Sequence, residues 1–152
     1  MDKEEILQQL EDGTFNWKAD SWAVARYCPE KLDPDRYNWA GYSGDVARYC
    51  PEKLDLERYD WEDSSWAVAK HCPEKLDPER YNWKYRSWAV AEYCPEKLDP
   101  ERYNWKDSSS AIADFCPELF VFKHPLRVYP LLSVGKGIGL DTGVISKLIM
   151  EV

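Results

Sequence analysis

The sequence predicts an all-α fold: a short helical solenoid of tandem 22-residue repeats with a nonrepetitive C-terminal cap. Three observations predict it. Cys-Pro recurs at Cys28-Pro29, Cys50-Pro51, Cys72-Pro73, Cys94-Pro95 and Cys116-Pro117, each 22 residues from the last. Trp17, Trp39, Trp61, Trp83 and Trp105 keep the same period, as do Leu32, Leu54, Leu76 and Leu98. Between them run Ala-Val-Ala segments framed by capping residues. A fixed period of this size marks stacked supersecondary units, none of which buries its apolar face alone. The Trp and Tyr ladders would also suit a β-solenoid, but Ala-Val-Ala and the paired cap signals favour helices.

Residues 1–16 read as a divergent N-terminal cap or partial repeat. One period before Leu32, Tyr37 and Trp39 stand Leu10, Phe15 and Trp17, so the register extends into this segment. Residues 17–116 form the repeat array. Within one copy, Ser65-Trp66-Ala67-Val68-Ala69-Lys70-His71-Cys72 is expected to be a helix capped by Ser65 and stopped by Pro73. Asp77-Pro78-Glu79-Arg80 has the order of cap, first-turn proline and acidic first turn, which predicts a second short helix to Tyr81. Asn82-Trp83 is then the return connection. Residues 117–152 abandon the repeat and read as a cap or interaction segment. Val144, Ile145, Leu148 and Ile149 have helical spacing there, and burial against the last repeat competes with self-association.

Composition narrows the functional classes. A formal net charge of −8 disfavours direct nucleic-acid binding, which calls for a basic footprint. No apolar run is long enough to span a membrane, and the acidic start Met1-Asp2-Lys3-Glu4-Glu5 lacks a secretory pattern, so a cytoplasmic protein is expected. Eight Trp and ten Tyr point to large rings bridging successive layers.

The chemical motifs favour structural roles. The five cysteines lack CxxC spacing or paired ligand sets, and each ends an apolar helix before proline, as small buried residues do. No metal or cofactor is expected. His71 stands where other copies carry Tyr27, Tyr49 and Tyr93, and His124 has no local nucleophile or carboxylate partner. Asp33, Asp55, Asp77 and Asp99 have a capping explanation. The glycine-rich Ser133–Gly139 stretch matches neither a P-loop nor a dinucleotide fingerprint.

Departures from the repeat give the candidate site. Gly44 replaces the Trp of Trp22, Trp66 and Trp88, and Asp45 replaces Ala. Lys84-Tyr85-Arg86 turns the acidic Glu62-Asp63-Ser64 connection basic and aromatic. Trp39, Tyr42, Gly44, Asp45, Arg48, Tyr85 and Arg86 are therefore the candidate protein-binding residues. The expected function is noncatalytic recognition of, or assembly with, an as yet unidentified protein. Two alternatives stand beside it: an acidic inhibitor or nucleic-acid mimic filling a partner's basic groove, and an enzyme with a C-terminal pocket.

Overall fold

A computed structural model describes residues 1–117. The helices are α1 (Lys3–Glu11), α2 (Trp17–Tyr27), α3 (Trp39–Tyr49), α4 (Trp61–His71), α5 (Trp83–Tyr93) and α6 (Trp105–Phe115). After each of α2–α5 comes a three-residue 3-10 turn: Pro29–Lys31, Pro51–Lys53, Pro73–Lys75 and Pro95–Lys97. The described residues contain no strand. The all-α helical repeat is as the sequence predicts. The chain divides into two compact units, Met1–Tyr81 and Asn82–Val152.

Each repeat helix starts one residue after an amide or carboxylate cap. The Asn16, Asn38, Asn82 and Asn104 side chains accept from the backbone N–H three residues on, and Asp60 accepts from Glu62 and Asp63. Each helix stops at the cysteine, whose backbone leaves helical geometry at φ near −150° and ψ near 60°, because the following proline disfavours the helical region. The Cys N–H still donates to the carbonyl of Val24, Val46, Val68, Val90 or Ile112.

Two expectations about this unit are corrected. The helix starts at Trp61, not Ser65, so the Asn-Trp step opens a helix and is not a return connection. Ser65 and its counterparts Ser21, Ser43 and Ser87 lie buried inside the helices. Asp77–Tyr81 is a single turn and no second helix, closed by Arg80 N–H to Asp77 O at 3.2 Å and Tyr81 N–H to Asp77 O at 2.9 Å. The Asp77 carboxylate accepts from Glu79 N–H at 2.9 Å, a local bond that competes with helix propagation.

In the first unit α2 packs on α3 and α3 on α4, with α1 against α2. Val24, Val46 and Val68 are fully buried, flanked by Ala25, Ala47 and Ala69. Ile6 of α1 is fully buried in the same core, and Phe15 is nearly so. Buried serines join the layers. Ser21 and Ser43 donate to the Trp17 and Trp39 carbonyls, and each hydroxyl accepts from the next layer, Asn38 N–H or Asp60 N–H, both at 3.0 Å. In the second unit α5 packs on α6, and Ser87 Oγ accepts from Asn104 N–H at 3.0 Å. Val90, Ile112, Cys94 and Cys116 are its buried centre.

Between helices, the arms that run from Leu to Tyr interlock by arginine. Arg58 Nη1 donates to Pro34 O at 2.5 Å and pairs with Asp35 at 2.6 Å and Asp55 at 3.3 Å. Arg80 repeats this on Leu56 O at 2.7 Å, Glu57 at 2.5 Å and Asp77 at 3.3 Å. The carbonyls these arginines use also accept from an indole: Trp39 Nε1 bonds Pro34 O at 2.9 Å, and Trp61 Nε1 bonds Leu56 O at 3.0 Å.

From residue 118 onward the expected C-terminal cap, with Val144–Ile149, the glycine-rich stretch and His124, lies outside the described residues. Among the described residues no helix is long and apolar enough to cross a membrane.

Candidate protein-interaction surface

The position two residues before each repeat cysteine carries Arg26, Arg48, Lys70, Glu92 and Asp114 in chain order. The position after it carries Tyr27, Tyr49, His71, Tyr93 and Phe115. Both fall in the last turn of a repeat helix, where the carbonyl end of the helix favours cations. The first unit therefore bears a basic and aromatic row at the ends of α2, α3 and α4.

Stacking organises that row. The Arg26 guanidinium sits 5.1 Å from the Tyr27 ring centre and 5.5 Å from Tyr49, while Arg48 sits 5.0 Å from Tyr49. Such contacts hold a planar cation against a ring face and leave its edge donors open. Arg26, Arg48 and Lys70 are exposed.

Gly44 leaves Tyr49 without the indole that its counterparts meet. On α2, Trp22 meets Tyr27 edge-on at 6.3 Å, and on α5 Trp88 meets Tyr93 at 6.2 Å. Glycine at 44 removes that indole from α3. A Cβ there would touch Ala67 Cβ at 3.6 Å and Ser64 Oγ at 3.8 Å, ordinary contacts, so the missing indole leaves a shallow floor rather than a deep groove.

Next to it, burial raises the half-buried Asp45 carboxyl above its ordinary value, while Arg48 and Arg26 pull it back down. Burial lowers the His71 imidazole, and Lys70 and Arg48 lower it further, which puts Arg48 within electrostatic reach of two neighbouring layers.

The structure thus sets Gly44, Asp45 and Arg48 together on the second half of α3. Trp39 is a core residue, 8% exposed, with its Nε1 committed to Pro34 O. Tyr42 is tied inward: its hydroxyl donates to Ala19 O at 2.6 Å, and its carbonyl accepts from Tyr37 at 2.9 Å. Tyr85 and Arg86 belong to the first turns of α5, in the second unit. Tyr85 is 61% exposed, with the Lys84 ammonium 4.7 Å from its ring, and Arg86 is half-buried.

Arg26, Tyr49 and Lys70 were not among the sequence candidates. Their signal was present as the change from Arg-Tyr-Cys and Lys-His-Cys to Glu-Tyr-Cys and Asp-Phe-Cys along the array.

Among the described residues no group of three or more His, Cys, Asp or Glu is placed to hold a metal ion. All five thiols are buried and unbridged. Burial pushes Cys50 and Cys94 up to about 12 and Cys72 up to about 11. No family model matches the chain, and no curated protein or solved structure matches it significantly.

Proposed function

We propose that the chain is a noncatalytic protein-recognition module whose first unit binds an acidic segment of a partner protein. One observation carries the reading: Arg26 and Arg48 are stacked around Tyr49 on consecutive helices, exposed, and form no salt bridge among the described residues. Rigid helices hold these cations in place, so little side-chain freedom is lost when a partner binds. Complementary charge sets the orientation of the encounter, and the Tyr faces add apolar contact.

The arm carboxylates Asp35, Asp55, Glu57 and Asp77 are paired with Arg58 and Arg80, which favours recognition over a backbone-like row of uncompensated acids. The repeat array acts as the scaffold.

Titration with a labelled synthetic peptide of alternating Glu and Phe tests the reading. Saturable binding to the wild-type chain is expected, falling about tenfold or more in Arg26→Glu and Arg48→Glu. Equal affinity in folded variants, or no binding at low salt, would remove the acidic-segment reading.

A further inference from the structure

We infer that the repeat arms also make a head-to-tail contact between two copies of this chain, Arg36 of one copy on Pro100 and Glu101 of the other. This surface is separate from the stacked Arg26 and Arg48, and the inference does not depend on them.

The internal layers supply the template. An arm arginine takes a carbonyl 24 residues earlier and a carboxylate 23 residues earlier, as Arg58 takes Pro34 O and Asp35 and Arg80 takes Leu56 O and Glu57. For Arg36 the same spacing reaches Asp12 and Gly13. Gly13 has no carboxylate and turns the chain with φ +70°. The disruption shows in Trp17 as well, whose Nε1 is buried without the carbonyl that Trp39 and Trp61 find five residues back.

Arg36 consequently forms no ion pair among the described residues. Its guanidinium lies over the Trp17 ring at 5.2 Å, on the wall of a cavity of about 530 Å³ that Leu7, Leu10, Lys31 and Asp33 also line. Helix α1 covers the end of the helix row and leaves this space at the end of the arm row.

The complementary groups belong to the last arm in the sequence, within the second unit. Pro100 O accepts from Trp105 Nε1 at 2.9 Å, as Pro34 O does from Trp39, but no arginine reaches it among the described residues. The Glu101 carboxylate is exposed and has no partner among the described residues. One period after Arg102 the sequence carries His124 in place of arginine, so the row of arm arginines ends there. Among the described residues, each copy thus carries one unfilled arginine and one unfilled carbonyl–carboxylate pair. Such a contact joins two different surfaces and propagates from copy to copy.

Two features oppose it. The chain carries −8, and Glu11 lines the cavity. At about 0.15 M NaCl, screening beyond ~8 Å suppresses the general repulsion and spares the direct contact.

Sedimentation velocity of the full chain over a concentration series at this salt tests the contact. The wild type should show a rising weight-average sedimentation coefficient. R36E and E101R should each stay monomeric, since each presents like charges at both surfaces. An equimolar mixture of the two should recover association, because Arg36 of one meets Glu101 of the other. Both residues are exposed, and the neutral variants R36Q and E101Q give the same reading at smaller amplitude. A wild type that stays monomeric to about 1 mM, the weak end of specific association, overturns the inference. So does association that persists undiminished in the single variants, or a mixture that behaves as its components do.

Discussion

The five cysteines occupy equivalent places, and burial makes them chemically quiet. Cys50, held up to about 12 from an ordinary 9.0, has roughly a thousandfold less thiolate near neutral pH than an unshifted thiol. Native chain treated with a maleimide is expected to label far more slowly than unfolded chain, with Cys28 to Cys94 reacting only on unfolding. Rapid labelling of the folded protein would show that the cores open.

His71 behaves differently because it is only half-buried beside two cations. With its folded pKa below the ordinary 6.5, the unfolded imidazole takes up its proton first. Stability is therefore full above about pH 6.5, declines as pH falls through the window down to the folded pKa, and levels below it. His71→Tyr, which installs the residue of Tyr27, Tyr49 and Tyr93, should remove that component. The comparison to make is denaturant midpoints of wild type and variant between neutral and mildly acid pH, and parallel curves would refute the effect.

At the scale of the element, capping residues do two jobs. Asn38 caps α3 through Oδ1 and donates from Nδ2 to Lys18 O at 2.7 Å in the previous layer, and Asn104 makes the same bond to Lys84 O at 2.6 Å. Asp60 caps α4 with two N–H bonds but has no donor for the equivalent Ala40 carbonyl. Asp60→Asn should restore the interlayer bond and relieve repulsion from Glu62 and Asp63, a gain of about 0.5–1.5 kcal/mol in unfolding free energy. Ser43→Ala tests the other tie. It strips Asp60 N–H of its acceptor and should cost about 1–3 kcal/mol, measured by chemical denaturation.

These two residues also explain how the helix start was misplaced. Serine before an apolar run has the signature of a cap, but Ser65 is buried inside α4, and the hydroxyl of its counterpart Ser43 accepts from a backbone N–H of the next layer 17 residues on. A contact between repeats cannot be read from the local pattern. The arm turn was misjudged for a related reason. Asp-Pro-Glu-Arg carries helix-start chemistry, yet only one turn fits before the next cap takes the chain out of helical geometry.

For the whole molecule, periodicity made the architecture legible because every copy repeats the same burial: valine or isoleucine, alanine and cysteine vanish from solvent in all five. The site was half legible. Comparing copies exposed Gly44, Asp45 and Tyr85 as departures and brought in Arg48 as their neighbour, whereas Arg26 and Tyr49 keep the residue of a neighbouring copy and so escaped notice. Their importance comes from stacking between layers, where one guanidinium serves two tyrosines.

Gly44→Trp joins these two levels and separates stability from binding. It restores the repeat residue, removes a glycine from a helix interior and lets an indole meet Tyr49 as Trp22 meets Tyr27. The expected gain is about 1–2 kcal/mol in unfolding free energy. The same indole would cover the shallow floor beside Arg26 and Arg48, so affinity for the acidic peptide should fall several-fold in the more stable protein. Calorimetric titration and denaturation of one preparation measure both. Gain without loss of binding would mean that the glycine is tolerated rather than used.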